Sequence, residues 1–280
     1  MTAFDNDIAL TASYGAPNTW DGEIAPGWHT PRGPLGGYVM AILMEGLERA
    51  VDDPARSARS VTTHFLRPPH DGPVTVTANV ERTGRSLTTV SGRLEQDGKL
   101  IALGLGAYST NWEGPLLDTA PMPDVEPPNP DHRPPPDAEM NPEAIGVSRE
   151  NPPAFVQRLS MQHRFGPQPF SGADRGEVGG WLGLRERRPL DAPAIAVLAD
   201  AWFPAPWPML TALAPAPTID LTIHFRAPLP LPDSLLLGRF TSTLVRDGFF
   251  EEDGQLWAPD GSLVAQSRQL GLLIGAQAPG

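Results

Sequence analysis

The feature that most constrains the fold is an internal repeat. The segment THFLRP around His64 recurs as IHFRAP around His224, 160 residues later (224 − 64 = 160). Further along, DGKLIA from Asp97 recurs as DGSLVA from Asp260, 163 residues later (260 − 97 = 163). Two matches in the same order, with a drift of only three residues, predict a chain built from two copies of one unit.

A proline-rich stretch separates the two copies. Twelve of the 34 prolines fall between Pro115 and Pro153. Proline is excluded from helix interiors and from central strands, and dense proline favours the extended polyproline II conformation. We therefore expect a structural linker over residues 113–160 that carries no catalytic residue. It would join an N-terminal unit, residues 1–112, to a C-terminal unit, residues 161–280.

Each copy shows the same order of predicted elements. In the first, apolar residues recur at steps of three and four from Tyr38 to Val51, which predicts an amphipathic helix with one buried side. Strands are predicted after it, over residues 60–66, 74–82, 86–96 and 100–109. The second copy offers a helix over residues 191–202 and strands over 219–226, 235–244, 248–258 and 263–274. One long helix followed by antiparallel strands, twice, is typical of an α+β fold in which each sheet wraps its helix.

Composition excludes several classes of function. The chain has 280 residues, no cysteine and a net charge of −12, so thiolate metal sites, cysteine nucleophiles and a basic nucleic-acid face are not available. His64 and His224 have no second histidine or carboxylate that completes a metal set, and we expect neither a metal nor a cofactor. Asp5 and Asp7 stand where a secretory signal would be basic and then apolar. We expect a cytoplasmic protein with no membrane span.

Short motifs in both copies resemble those of the acyl-CoA thioesterase II family. In the first copy they are GPLGGYVMAIL, THFLRP and DGKLIALGLGAYS, and in the second WLGLRERRPL, LADAWF, PTIDLTIHFRAP and DGSLVAQSRQLGLLIG. Members of that family are double hotdogs, in which each of two tandem antiparallel sheets wraps a long central helix. The resemblance implies an enzyme of lipid metabolism that hydrolyses an acyl-CoA thioester with an activated water.

The resemblance also implies the residues that hold this water. The family's aspartate corresponds to Asp220, its hydroxyl residue to the Ser242–Thr243 pair, and its glutamine to Gln269. Because strand side chains alternate, Thr241 and Thr243 share a face that Ser242 does not, and we favour Thr243. Asp220 would act as the general base, with Thr243 and Gln269 orienting the water.

The carbonyl oxygen of the thioester needs hydrogen-bond donors as it becomes negative. Backbone amides at Gly36, Gly37 and Tyr38 are suitable for substrate binding, because a helix N-terminus presents unpaired N–H groups and glycine permits close approach. Two further carboxylates, Glu45 and Asp200, lie on the central helices. We interpret Asp200 as a support of the second helix and Glu45 as solvated.

The repeat predicts one active site per chain. An offset of 160 places Ser60 opposite Asp220, and an offset of 163 places Gly106 opposite Gln269. Neither residue of the first copy can act as a base or an amide donor. The N-terminal unit is therefore expected to carry a degenerate site, and the C-terminal unit the catalytic side chains.

Two other functions remain open from the sequence. A non-catalytic hotdog protein would bind acyl-CoA or an acyl-carrier protein and leave the thioester intact. A hotdog enoyl-CoA hydratase would need an aspartate and a histidine, for which Asp220 and His224 are the candidates. For either function, or for the thioesterase, we expect a homo-oligomer, a homodimer or larger, because a lone two-copy sheet exposes strand edges or a sheet face.

Overall fold

The computed structural model describes residues 1–129 and 153–276. Its helices are α1 (Ala3–Asp7), α2 (Gly36–Val51) and α3 (Ala192–Ala199). Its strands are β1 (Thr11–Ala12), β2 (Thr19–Ile24), β3 (His29–Thr30), β4 (Gly33–Pro34), β5 (Ser57–Phe65), β6 (Gly72–Thr83), β7 (Leu87–Gln96), β8 (Lys99–Ser109), β9 (Leu159–Phe165), β10 (Gly176–Leu184), β11 (Thr218–Phe225), β12 (Leu236–Ser242), β13 (Val245–Arg246), β14 (Phe249–Trp257) and β15 (Leu263–Leu272).

One large antiparallel sheet runs through both copies. Its strand order is β1-β2-β6-β7-β8-β5-β11-β15-β14-β12-β10-β9, with β13 added beside β14. β3 and β4 form a separate two-stranded ribbon. The predicted double hotdog is confirmed, with α2 and α3 as the central helices.

The second copy follows the same plan as the first, although some elements depart from the predicted layout. β9 begins at Leu159, inside the segment predicted as linker, and β10 had no predicted counterpart. The sequence of β10, GEVGGWLGL, is rich in glycine and does not alternate between polar and apolar residues. It is buried on both faces, which removes the alternation that marks a half-exposed strand.

The two copies meet where β5 pairs with β11. The hydroxyls of Thr62 and Thr222 hydrogen-bond across this junction, Oγ1 to Oγ1 2.9 Å. To either side, His64 pairs with Asp220 and Ser60 with His224. Because Thr62 and Thr222 are 160 residues apart, they are equivalent residues that lie opposite each other, and the pairs to either side exchange their partners symmetrically. The predicted offset of 160 is thus a local two-fold relation about the Thr62–Thr222 pair.

The core lies between the inner face of the sheet and the two central helices. α3 is buried along its whole length, and α2 is buried from Gly37 to Met44. The helices touch where Gly37 meets the last turn of α3. A Cβ atom on Gly37 would lie 2.5 Å from the carbonyl oxygen of Ala196, so only glycine permits this approach. The contact brings the start of α2 against the end of α3.

The chain after the first copy covers the outer face of the second copy's part of the large sheet. Met122 and Val125 pack on a buried cluster that includes Trp181 and Trp257. Both indoles donate hydrogen bonds to this covering segment, Trp181 Nε1 to the Glu126 carbonyl oxygen at 2.8 Å and Trp257 Nε1 to the Ala120 carbonyl oxygen at 3.0 Å. Residues 130–152, within the predicted linker, lie outside the described residues.

Candidate active site

Gln269 lies on the inner face of β15 and is buried. Its amide has two side-chain partners. The Thr218 hydroxyl donates to Gln269 Oε1 at 2.7 Å, and Gln269 Nε2 donates to Glu252 Oε1 at 2.6 Å. Gln269 therefore connects the start of β11 to the middle of β14.

Thr218 reaches Gln269 because β11 is irregular at its start. Between Thr218 and Asp220 the register with β15 shifts by a β-bulge. A bulge inserts one extra residue and re-aims the side chains before it. Regular alternation would give Thr218 and Asp220 the same face, whereas Leu221, the strand partner of Gln269, faces the core. The bulge allows Thr218 to join the inner-face network.

Glu252 is a buried carboxylate that the sequence analysis did not predict. Its Oε1 accepts the hydrogen bond from Gln269, and its Oε2 accepts the backbone N–H of Ala205 at 2.5 Å. Burial raises the pKa of Glu252 to about 7, although these two hydrogen bonds oppose the shift. The negative charge of Asp200 raises this pKa further.

Asp200 directly follows α3, and its backbone N–H donates to the Val197 carbonyl oxygen. Its carboxylate Oδ2 accepts the backbone N–H of Gly37 at 2.7 Å. Burial raises the pKa of Asp200 to about 6, and the amides of Gly37 and Gly36 act in the opposite direction. An acid whose pKa lies this close to neutrality can gain and lose a proton under ordinary conditions, as a general base must.

The predicted amide site at the start of α2 is present but already has partners. Gly37 N–H holds Asp200, and Tyr38 N–H donates to the Leu35 carbonyl oxygen at 3.1 Å. The Tyr38 hydroxyl donates to the Asp7 carbonyl oxygen at 2.8 Å, deep in the first copy. Gly36 and Gly37 thus orient the Asp200 carboxylate. The structure does not show the Gly37 and Tyr38 amides as open oxyanion donors.

The structure does not bring Asp220 to Gln269. Asp220 pairs with His64 and Leu270, and it lies on the opposite face of β11 from the buried Leu221. His224, the candidate partner of Asp220 in a hydratase, shares that outer face and is exposed. The pair therefore points away from the network around Gln269.

Thr243 is also separate from Gln269. It lies just beyond the end of β12 and is exposed, and its hydroxyl donates to Glu251 Oε1. The preceding residue, Ser242, is buried on the inner face, whereas Thr241 is half-buried. Of the three predicted catalytic side chains, only Gln269 lies in the buried network.

In the first copy the positions of Thr218, Glu252 and Gln269 carry no polar side chain. Gly106 pairs with Val61 as Gln269 pairs with Leu221, and these residues are related by the offsets of 163 (269 − 106) and 160 (221 − 61) found in the sequence. Ala58 precedes the corresponding bulge of β5, in the place of Thr218. Val90 on β7 pairs with Gly106 on β8 and takes the place of Glu252. Ala58, Val90 and Gly106 offer no side chain that could orient a water, and one site per chain stays a prediction.

Three residues of this site were not chosen from the sequence, and each had a weak signal. Asp200 was noticed as a helical carboxylate and interpreted as structural. Thr218 stands two residues before Asp220, but only the bulge gives it its direction. Glu252 sits in the acidic run Glu251–Asp253, where strand alternation would place one acid on the face opposite to its neighbours. An acid predicted on the inner face of a strand was thus the available signal for Glu252.

Two family models match the chain. The acyl-CoA thioesterase N-terminal domain matches residues 24–109, and the acyl-CoA thioesterase C-terminal domain matches residues 125–273. No curated protein matches the chain. No described helix is long and apolar enough to span a membrane, and residues 1–129 and 153–276 contain no group of side chains able to hold a metal ion.

Solved structures share the fold over the whole chain. A hot dog fold protein of unknown function from Alicyclobacillus acidocaldarius is 25% identical with a TM-score of 0.82, and covers 100% of both chains. A Thermobifida fusca protein assigned to thioesterase II is 28% identical with a TM-score of 0.73, and the match covers 98% of each chain. An acyl-CoA thioesterase II from Mycobacterium marinum, 19% identical with a TM-score of 0.73 over 100% of this chain and 98% of that one, has the same fold.

Proposed function

Because the chain belongs to the acyl-CoA thioesterase family, we propose that it hydrolyses an acyl-CoA thioester with Asp200, Gln269 and Thr218 as its catalytic residues. The observation that carries this proposal is a buried carboxylate with a raised pKa, Asp200, whose charge acts on Glu252 in the buried hydrogen-bonded network of Thr218, Gln269 and Glu252. We assign the base to Asp200 in place of Asp220, because Asp220 lies on the other face of the sheet.

The hydrogen-bond directions of the network suit a water nucleophile. Thr218 donates its only hydroxyl proton to Gln269, so its oxygen is left as an acceptor. Gln269 uses one Nε2 proton on Glu252 and keeps a second one. A water that donates to Asp200 and Thr218 and accepts from Gln269 retains one lone pair for the carbonyl carbon. Holding the water in this way replaces orientational entropy that the reaction would otherwise lose.

Asp200 accepts one proton and later gives it up, so the reaction leaves its protonation state unchanged. As the water oxygen bonds to the thioester carbon, its proton moves to the Asp200 carboxylate. When the carbon–sulfur bond breaks, the departing CoA sulfur takes that proton. The products are a carboxylic acid and CoA, and Asp200 returns to its ionised state. The pKa of about 6 allows both transfers near neutral pH.

A panel of acyl-CoA esters of increasing chain length, with detection of the released thiol, tests this function. We expect multiple turnovers on at least one ester, and turnover slower by about 10²–10⁴-fold after Asp200→Asn, which preserves size and the hydrogen bond from Gly37. Binding of CoA esters that stay intact over hours would contradict the proposal. That outcome would identify a non-catalytic acyl-CoA binding protein.

A further inference from the structure

We propose that Glu252 is a positioning residue of this site, whose carboxylate sets the direction of the hydrogen bonds that run through Gln269 to Thr218. The expected kinetic effects rest on the proposed function, whereas the direction of the hydrogen bonds does not depend on it. Glu252 accepts hydrogen bonds from Gln269 Nε2 and from the Ala205 backbone N–H. Its effect on the water would therefore pass through Gln269.

An ionised carboxylate can only accept hydrogen bonds. Glu252 accepts one from the backbone N–H of Ala205, which cannot turn round, and one from Gln269 Nε2. The carboxylate therefore requires the NH₂ end of the Gln269 amide on its side. The amide oxygen must then point toward Thr218, and the Thr218 hydroxyl must donate to it. Each step fixes the next, and the last one leaves the Thr218 oxygen as an acceptor for the water.

A neutral group that can donate would allow the opposite arrangement. With a proton on Glu252, the carboxyl could donate to the Gln269 oxygen after the amide rotates by half a turn. The NH₂ end would then face Thr218, whose hydroxyl would have to accept from it and donate elsewhere. The water would lose one acceptor and meet a donor in its place. The charges that act on Glu252 are those of Asp200, beyond the end of α3, and of its strand neighbour Asp253.

The first copy supports a role specific to the functional site. The position of Glu252 is held there by Val90, and the position of its partner Gln269 by Gly106. Val90 is buried without any polar partner to satisfy, so the fold does not need a carboxylate at this place on the strand. A buried carboxylate is unfavourable unless it is hydrogen-bonded. Of the two equivalent positions, only the one beside Gln269 carries a carboxylate, as expected if the network requires it.

The decisive variant is Glu252→Gln. The introduced amide has nearly the same shape, and it can accept from the Ala205 N–H while it donates to the Gln269 oxygen. The reversed network is then fully hydrogen-bonded, so we expect a melting temperature at pH 8 no lower than that of the unmodified protein. We expect kcat to fall by about tenfold or more and KM to stay within about twofold. A kcat within about twofold of the unmodified protein would overturn the proposal.

Asp253→Asn is the matched control, because Asp253 is the next carboxylate on the same strand and lies on the exposed face, paired with Arg268. It should leave kcat unchanged. A second comparison uses Gln269→Ala as background. If Glu252 acts through Gln269, adding Glu252→Gln to that background changes kcat by less than about twofold. A further loss as large as in the single variant would show that Glu252 acts by another route.

A measurement without substrate separates this inference from the proposed function. The side-chain NH₂ resonances of Gln269, assigned by their loss in Gln269→Ala, should shift as Glu252 titrates. The shift should be absent in Glu252→Gln. Resonances that titrate identically in both proteins would contradict the inference, whether or not the protein hydrolyses acyl-CoA. If the resonances behave as expected and no ester is hydrolysed, the proposed function alone fails.

Discussion

The carboxylate of Asp200 accepts the backbone N–H of Gly37 at 2.7 Å, so the end of the second copy's helix is hydrogen-bonded to the start of the first copy's helix. A helix N-terminus carries a partial positive charge, which favours the ionised acid. Burial favours the neutral acid more strongly, so the pKa of Asp200 is raised. The candidate site therefore combines a backbone amide of the first copy with side chains of the second copy.

The rate of hydrolysis should follow the ionisation of Asp200. The base accepts a proton only when it is ionised, and its pKa is raised to about 6. Ionised Glu252, whose pKa is raised to about 7, also sets the direction of the hydrogen bonds through Gln269. We therefore expect kcat/KM to rise with pH between about 5 and 7 and to level off above about pH 7, measured from about pH 5 to 9. A profile already flat at pH 5 would indicate a base with an ordinary carboxylate pKa.

Stability should depend on pH in the direction set by two raised pKa values. In the folded protein the pKa of Asp200 is raised to about 6 and that of Glu252 to about 7, from ordinary values of 3.8 and 4.5. The folded state thus binds protons that the unfolded state has lost, so the contribution of both groups to stability falls as pH rises from about 4 to about 7. For Asp200 the difference amounts to about 3 kcal/mol.

Asp200→Asn removes this ionisation and serves as the test. At pH 8 the variant should unfold at a higher denaturant concentration than the unmodified protein. At about pH 3, below both pKa values, the acid is mostly protonated in both states, and the two proteins should differ little. Equal gains at both pH values would show that the effect does not come from ionisation.

The close contact at Gly37 should be intolerant of a side chain. A Cβ atom there would lie 2.5 Å from the Ala196 carbonyl oxygen and 2.9 Å from the Asp200 Cβ. Gly37→Ala must therefore move α2 away from α3 and displace Asp200. We expect a loss of about 1–3 kcal/mol in unfolding free energy together with a loss of kcat. Gly114→Ala, where a Cβ would meet nothing within 4 Å, should change neither quantity.

The sequence predicts the repeated architecture well, because the signals for it are local. The amphipathic pattern from Tyr38 to Val51 and the segments around His64 and His224 depend on neighbours along the chain. Gln269 could also be placed, since it lies within a regular strand. Thr218 could not, because a bulge reverses the direction that alternation predicts. Asp200 could not either, because its role depends on a contact with Gly37, 163 residues away along the chain.

The outer face of the central strands carries the surface on which we predict association. Leu105 on β8 and Leu270 on β15 lie there and are 53% and 36% exposed. Exposed apolar side chains on a broad sheet face favour association with another copy. We expect sedimentation at micromolar concentration to show a dimer or a larger species, and Leu105→Lys to weaken it. A single 30 kDa species for the unmodified protein would contradict this expectation.

The most direct test of the account compares Asp200→Asn with Asp220→Asn in single-turnover hydrolysis of the best acyl-CoA ester. Both variants replace an aspartate by its isosteric amide, but only Asp200 is buried and acts electrostatically on the network, through Glu252. We predict that Asp200→Asn slows thioester cleavage by about 10²–10⁴-fold, while Asp220→Asn stays within about threefold of the unmodified protein. Loss of cleavage in Asp220→Asn, with Asp200→Asn still active, would contradict the assignment of Asp200 as the base.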